Sequence, residues 1–315
     1  MNYKESKYPM WCWSSSRKRT FLECKRKYYY NYYLSHNGWN EDAPDDSKKA
    51  YRLKKLTGIH LLLGIAVHEV AEYTCKIISS MNKKPDKKTL IDKVRFILNK
   101  AWKESKKPHL WFNQPNRYFM LHEFYYGDGL SSSIINKVKE KMYNTVPNIL
   151  HSGTVNNLLD SDDCNIKISE DMDTFDVQGT PIYAVPDLVY ENGEGKWVVV
   201  DWKSGKEHDS HPRQINVYSL YLTEKFGIEP EDIIGKMEYL LTGKCLNINV
   251  TRETVEQARS DIIKSIKEMQ QYLLDKEKNI PVEMEKFPLT KHPRLCRWCN
   301  FYEMDKQEIN CILSR

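Results

Sequence analysis

Asp201 and Lys203 close an apolar run, KWVVVDWKS over residues 196–204, and so place a carboxylate and an ammonium two positions apart. In a strand, alternation puts Val199, Asp201 and Lys203 on one face and Val198, Val200 and Trp202 on the other. Upstream stands Pro186-Asp187, separated from Asp201 by thirteen residues that include the turn-forming NGEG. That turn is a hairpin signal, and pairing across it brings Asp187 beside Asp201. Proline marks the first strand as irregular or terminal at that point. Two adjacent carboxylates repel unless a cation lies between them. A hard divalent ion such as Mg²⁺ takes one or two carboxylates together with waters and phosphate oxygens, and Lys203 could hold or activate a water there.

Three other groups have chemical potential. Gln214 and Tyr218 stand one helical turn apart and could face the same site, orienting Lys203 or a phosphate. Cys296 and Cys299 form a CxxC pair in a tail flanked by Pro and Arg, a spacing common among metal ligands, and spacing alone does not choose between zinc and an iron-sulfur cluster. Cys75, Cys164 and Cys245 stand alone and read as small buried hydrophobes. Arg17, Lys18, Arg19, Lys25, Arg26 and Lys27 suit a phosphate track, with Trp11, Trp13 and nearby tyrosines as stacking surfaces for unpaired bases.

The elements that must carry these residues follow from periodicity. SSSRKRTFLECKRKYYYNYY reads as one serine-capped helix with Phe21, Cys24, Tyr28 and Tyr32 on one face and the basic residues on the other. YRLKKLTGIHLLLGIAVHEVAEYTCKII predicts a second helix, buried nearly all round, with His68 at its centre. Two or three helices fill the stretch to about Leu159. KISEDMDTFDVQG, TPIYAVPDLVYE and KWVVVDWKS are β-rich, and IGKMEYLLTG can add a strand. HPRQINVYSLYLTEKFG and TRETVEQARSDIIKSIKEMQQYLLDKEK resume helical spacing. Glu170, Asp171, Asp173 and Asp176 are further carboxylates on the acidic strand entering the sheet.

The chain's 315 residues, with 40% hydrophobic and 29% charged, fit an ordinary folded protein and exclude a disulfide miniprotein or a disordered chain. The longest apolar stretch, Leu61–Val67, is too short to span a bilayer, and the N-terminal MNYKESKYPMWCW lacks a signal-peptide core, so the expectation is a cytoplasmic protein with reduced thiols and no membrane partner. The net charge of +5 is mild, but residues 1–36 carry eight Lys/Arg against two Glu, whereas residues 155–194 carry ten Asp/Glu against Lys167. One region suits phosphate and the other suits cations.

Pro186-Asp187 followed by Asp201-Trp202-Lys203 resembles the PD-(D/E)xK nuclease motif. Gln214-xxx-Tyr218 resembles the third motif of its RecB-like branch, Gly64-xxx-His68 the first, and Ser16-Arg17 through Tyr28 its N-terminal helix. Cys296-Arg-Trp-Cys299 resembles the C-terminal staple of AddB-type and CRISPR-associated RecB-like exonucleases. The resemblance implies a restriction-endonuclease-like α/β fold with a small mixed sheet. It implies a catalytic set of Asp187, Asp201, Lys203, Gln214 and Tyr218, and Mg²⁺ or Mn²⁺ held by His68, Asp187, Asp201 and the Trp202 carbonyl. It also implies a 4Fe-4S cluster on Cys24, Cys296, Cys299 and Cys311, with zinc as the alternative. Eleven residues separate Cys299 from Cys311, a wider gap than the family's, and Cys12 could substitute.

The resulting expectation is a single nuclease domain over 1–315, with a mainly helical part to 160, a catalytic sheet core over 161–245, and a long helix and cysteine tail over 246–315. Its activity would be hydrolysis of DNA phosphodiesters, as an exonuclease on single-stranded or end-exposed DNA in repair, recombination or phage-related defence. No helicase motif is present, so a motor would be a separate partner. The alternatives are a non-catalytic nucleic-acid-binding subunit of a helicase-nuclease or defence complex, and a zinc-stabilised binding module.

Overall fold

The computed structural model describes residues 6–160, 165–168, 173–209 and 211–313, apart from the side chains of residues 293 and 311–313. Glu170, Asp171 and Cys164 lie outside the described residues. The chain divides into two compact units, one of residues 58–101 and 128–262, the other of residues 1–57, 102–127 and 263–315.

The first unit holds a five-stranded mixed sheet. Its strands are β1 (Asn165–Ile168), β4 (Leu188–Glu191), β5 (Trp197–Lys203), β6 (Ile233–Tyr239) and β7 (Lys244–Asn249), in the spatial order β1-β4-β5-β6-β7. The separate strands β2 (Asp173–Val177) and β3 (Thr180–Ala184) form a hairpin through Gln178 and Gly179, both at positive φ as a two-residue turn requires. TPIYAVPDLVYE is therefore two strands in different pairings, divided at Val185–Asp187. The β4–β5 hairpin follows the NGEG turn, where Asn192 Oδ1 accepts from the Glu194 and Lys196 amides. β5 is buried on both faces from Val198 to Trp202, which is why its sequence is a near-continuous apolar run. β5 and β6 are parallel, as a helical crossover allows. The helix that links them, Pro212–Phe226, lies close over β6, and a Cβ on Gly235 would meet Ile215 at 2.5 Å. The helix Ile59–Met81 packs on Ser132–Leu150 and Gly153–Asp160, and its Leu62, Leu63, Ala66, Val67 and Val70 are buried. It is not buried all round, since Leu61 and Ile65 face solvent. Cys245 is also exposed, on the edge strand β7, contrary to its expected burial.

The other unit joins chain ends through side chains. Arg26 is 8% exposed, donates to the Phe287 carbonyl and to Asp305 Oδ1 at 2.8 Å each, and Tyr30 donates to the same carboxylate oxygen. Tyr30, Ala50, Leu53, Leu56, Trp111, Met120 and Phe301 form one cluster of its core.

Three expected helices are shorter than their periodicity. The N-terminal one breaks at Cys24, whose extended backbone separates Ser15–Glu23 from Lys25–Tyr29, followed by a π turn over Tyr30–Leu34. The second ends at Lys54 and restarts at Ile59, because Thr57 pairs its backbone with Met120 and His122. The long C-terminal one spans Arg252–Gln270 only, because Leu273–Asp275 turns back to pair with Ile280–Pro281. The stretch from Lys87 to Asp160 holds five helices, where two or three were expected.

Candidate active site

The β4–β5 register pairs Leu188 with Val200, so Asp187 and Asp201 meet at the same end of the hairpin. Asp187 Oδ2 accepts from the Trp202 amide at 2.7 Å, and its Oδ1 lies 3.3 Å from His68 Nδ1. His68 reaches this point from Ile59–Met81, where Gly64 leaves the helix backbone room to approach Ser204, just beyond Lys203. Lys203 Nζ stands 2.5 Å from Asp201 Oδ2 and donates to Gln214 Oε1 at 2.9 Å. Gln214 in turn donates through Nε2 to the Tyr218 hydroxyl. The six side chains thus form two runs of contacts, His68–Asp187 and Asp201–Lys203–Gln214–Tyr218, with the charge of Asp187 acting on Asp201 across the gap.

Asp201 is 1% exposed, and its pKa is pushed up to about 7, first by burial and then by Asp187, against the opposing effects of Lys203 and His68. Burial thus makes the charged form of Asp201 costly beside Asp187, and Lys203 and His68 offset part of that cost. Two carboxylates with one imidazole are donors suited to Mg²⁺ or, through nitrogen, Mn²⁺. Among the described residues no group of three or more His, Cys, Asp or Glu is gathered in metal-holding geometry. Asp187 is engaged by His68 and by Trp202 N–H, and Asp201 by Lys203.

One residue that sequence reasoning passed over holds this strand end in place. Glu238, 2% exposed, is in register with Trp202, accepts from the Trp202 indole at 3.1 Å and accepts from the Thr154 amide at 2.7 Å. Its signal was an acidic residue inside an apolar strand, which becomes meaningful only once the parallel register is known. Other acidic residues have structural partners. Asp173 bonds Lys225 and Tyr221, and Asp176 caps the Gln178–Gly179 turn.

The cysteines and basic residues divide. Cys24 caps Lys25–Tyr29 by accepting from the Lys27 amide. Burial pushes the Cys299 thiol up to about 11, with Cys24 and Cys296 adding to the rise, and Cys296 is raised by burial and by Cys24. Cys24 thus lies within electrostatic reach of the other two thiols, although the three are not gathered as a metal-holding group among the described residues. Cys311 lies on Lys306–Leu313, and its side chain is outside the described residues. The six basic residues do not share an exposed face. Arg17 is 2% exposed and bonds Tyr28 and Cys12, and Arg26 is committed to Asp305. Trp11 and Trp13 are also buried, so they offer no stacking surface. Lys18, Arg19, Lys25 and Lys27 retain exposure.

The mixed sheet thus presents a carboxylate pair and a lysine at one hairpin end. The match to the PD-(D/E)XK nuclease superfamily covers residues 12–304, and the chain belongs to that superfamily. Its members are nucleases that generally use Mg²⁺ or Mn²⁺. No curated protein matches the chain. Among solved structures, one described as "Crystal structure of SSO0001" is similar at 16% identity and a TM-score of 0.28, over 64% of this chain and 78% of that chain. A TM-score this low carries no argument.

Proposed function

We propose that this chain is a divalent-metal-dependent deoxyribonuclease of the RecB-like branch, cutting single-stranded or end-exposed DNA as an exonuclease. The observation that carries the reading is Lys203, held between Asp201 Oδ2 and Gln214 Oε1 beside the Asp187–His68 pair. His68, Asp187, Asp201 and the Trp202 carbonyl would hold the ion, which when bound lowers the pKa of water and offsets charge on the phosphate. Lys203 Nζ orients the attacking water and donates to a phosphate oxygen. Gln214 fixes the lysine's direction, and Tyr218 fixes Gln214. Asp187 holds the Trp202 backbone in line. The water oxygen bonds to phosphorus as the bond to the leaving oxygen breaks, with no covalent enzyme intermediate.

In this reading residues 1–315 form one cytoplasmic nuclease domain, and a helicase or defence subunit acts with it as a partner. In the same reading Cys24, Cys296, Cys299 and Cys311 hold a 4Fe-4S cluster, with zinc as the alternative, and what supports it is the CxxC spacing of Cys296 and Cys299. Iron, sulfide and zinc analysis of purified protein decides between them.

The test of the activity is a time course on end-labelled single- and double-stranded DNA with Mg²⁺, Mn²⁺ or EDTA, comparing wild type with Lys203→Ala. Metal-dependent degradation that the substitution removes supports the reading, and the product ladder separates end-dependent from internal cutting. Cleavage that survives in Lys203→Ala overturns the assigned roles. Binding without turnover in wild type favours a non-catalytic subunit.

A further inference from the structure

Trp39 and Phe112 keep 46% and 45% of their surface exposed, whereas Tyr30, Tyr51 and Trp111 in the same unit are buried. Each lines a cavity. One, of about 550 Å³, is bounded by Arg17, Tyr32, Trp39, Tyr51, Lys54 and Lys55, among others. The second, of about 420 Å³, includes Lys48, Arg52, Phe112 and Arg117. Trp39, Tyr51 and Asn116 belong to both walls, so the cavities adjoin. Both volumes fall within the range of ligand sites.

Their charge is one-sided. Among the described residues neither wall contains an Asp or Glu, and Lys48, Arg52, Lys54, Lys55 and Arg117 make no ion pair. Lysines elsewhere often do, as Lys27 does with Glu23 and Lys88 with Asp92. Arg17 adds a buried donor. Its Nε bonds Tyr28 and its Nη1 bonds Cys12, but Nη2 has no hydrogen-bond partner. A buried charged donor left unsatisfied is costly, and an oxyanion in this cavity is the ligand chemistry that would use it.

Gly38 sets the position of Trp39. A Cβ there would collide with the Ser47 carbonyl and press on Tyr51, so the glycine lets this loop lie against the helix Asp45–Lys54 that carries Lys48, Tyr51, Arg52 and Lys54. Trp39 then packs edge-on to Tyr51 at 5.6 Å, with much of its surface still open.

Unopposed cations interleaved with exposed aromatic faces match an unpaired strand, whose phosphates and base faces are both available. A duplex stacks its bases out of reach. We propose that these adjoining cavities hold a single-stranded nucleic acid, its phosphates on Arg17, Lys54, Lys55, Arg52 and Arg117 and its bases on Trp39 and Phe112. The identity of the occupant as nucleic acid rests on the nuclease reading above.

The test is fluorescence anisotropy with a labelled oligothymidylate of about 12 nucleotides and a matched duplex, in EDTA so that no strand is cut. The expected result is preference for the single strand, a loss of about tenfold for Trp39→Ala or Phe112→Ala, and a salt slope lowered by about 0.7 to 1 for Arg52→Ala or Arg117→Ala. Arg117→Glu reverses an exposed charge and guards against a result caused by misfolding. Equal affinity for duplex, or wild-type affinity in these variants, overturns the proposal. Binding is read without metal and cleavage with it, so the two readings fail separately. Intact strand binding with no turnover removes only the nuclease reading, and cleavage without this pattern of binding removes only the present one.

Discussion

Asp187 and Asp201 stand at the end of strands buried among apolar side chains, whereas Lys48, Lys54, Lys55, Arg52 and Arg117 stand on loops and a helix around open cavities. The sheet site pairs its two carboxylates with Lys203 and His68, whereas among the described residues the cavity walls carry cations with no acid beside them. In the sheet the carboxylates are held by register. Leu188 faces Val200, the Trp202 amide grips Asp187, and Glu238 anchors the Trp202 indole. In the cavities one close approach at Gly38 sets the wall. A largely buried carboxylate pair held by register suits a small cation and a fixed reaction geometry. An open, cationic and aromatic surface suits a flexible polymer.

The sharpest break in this comparison is at the sheet. Asp187→Ala, Asp201→Ala and Lys203→Ala should each lower the cleavage rate by about 10²-fold or more while circular dichroism stays native, since each removes charge stabilisation where the reaction occurs. Substitution in the cavities should change strand affinity far more than the rate at saturation.

Next in size is the clasp between the chain ends. Asp305→Ala removes the main anion of the buried Arg26, leaving it the Phe287 carbonyl and Glu308 at 3.8 Å, and takes away Tyr30's acceptor, with an expected loss of about 3 kcal/mol by denaturant titration. A change below about 1 kcal/mol would show that the clasp is incidental.

A smaller effect is expected at Glu238. Glu238→Ala leaves the Trp202 indole and the Thr154 amide unpaired in a dry interior, at about 1–3 kcal/mol. Its turnover should fall with little change in oligothymidylate affinity, and an unchanged rate would sever Glu238 from the site.

The mildest test is Lys54. Burial of its ammonium, with Lys55 and Arg17 beside it, pushes its pKa down to about 8 although the side chain as a whole is exposed. The Asn31 carbonyl accepts from it, and Tyr32 lies beneath it. Between this value and its ordinary 10.5 the unfolded chain binds more protons, so this group's contribution to stability rises with pH across that window. Strand binding needs the charged form and so should weaken as pH rises through 8. Lys54→Arg should flatten the anisotropy profile between pH 7 and 9, and a profile that stays steep would exclude Lys54 as its source.

Much of the sheet site was legible because its determinants are local. Strand alternation put Asp201 and Lys203 on one face, the NGEG turn aligned Asp187, and helical spacing put Gln214 and Tyr218 together. The expected exposed basic face fails at Arg17 and Arg26, which are buried, because a helical face says which residues are neighbours, not which face the fold buries. Glu238 was missed because its partners come from Trp202 and Thr154, distant in sequence.

The amino-acid order therefore determined the strand–turn–strand that aligns the carboxylates, the lysine's face, and the segregation of charge along the chain. Tertiary structure decided which cations were spent on internal partners, which aromatic rings stayed open, and how Gly38, Tyr51 and Phe112 enclose common space. The physical reason is range. Alternation and turn chemistry act over a few residues, whereas burial and charge neutralisation depend on every segment the fold brings near.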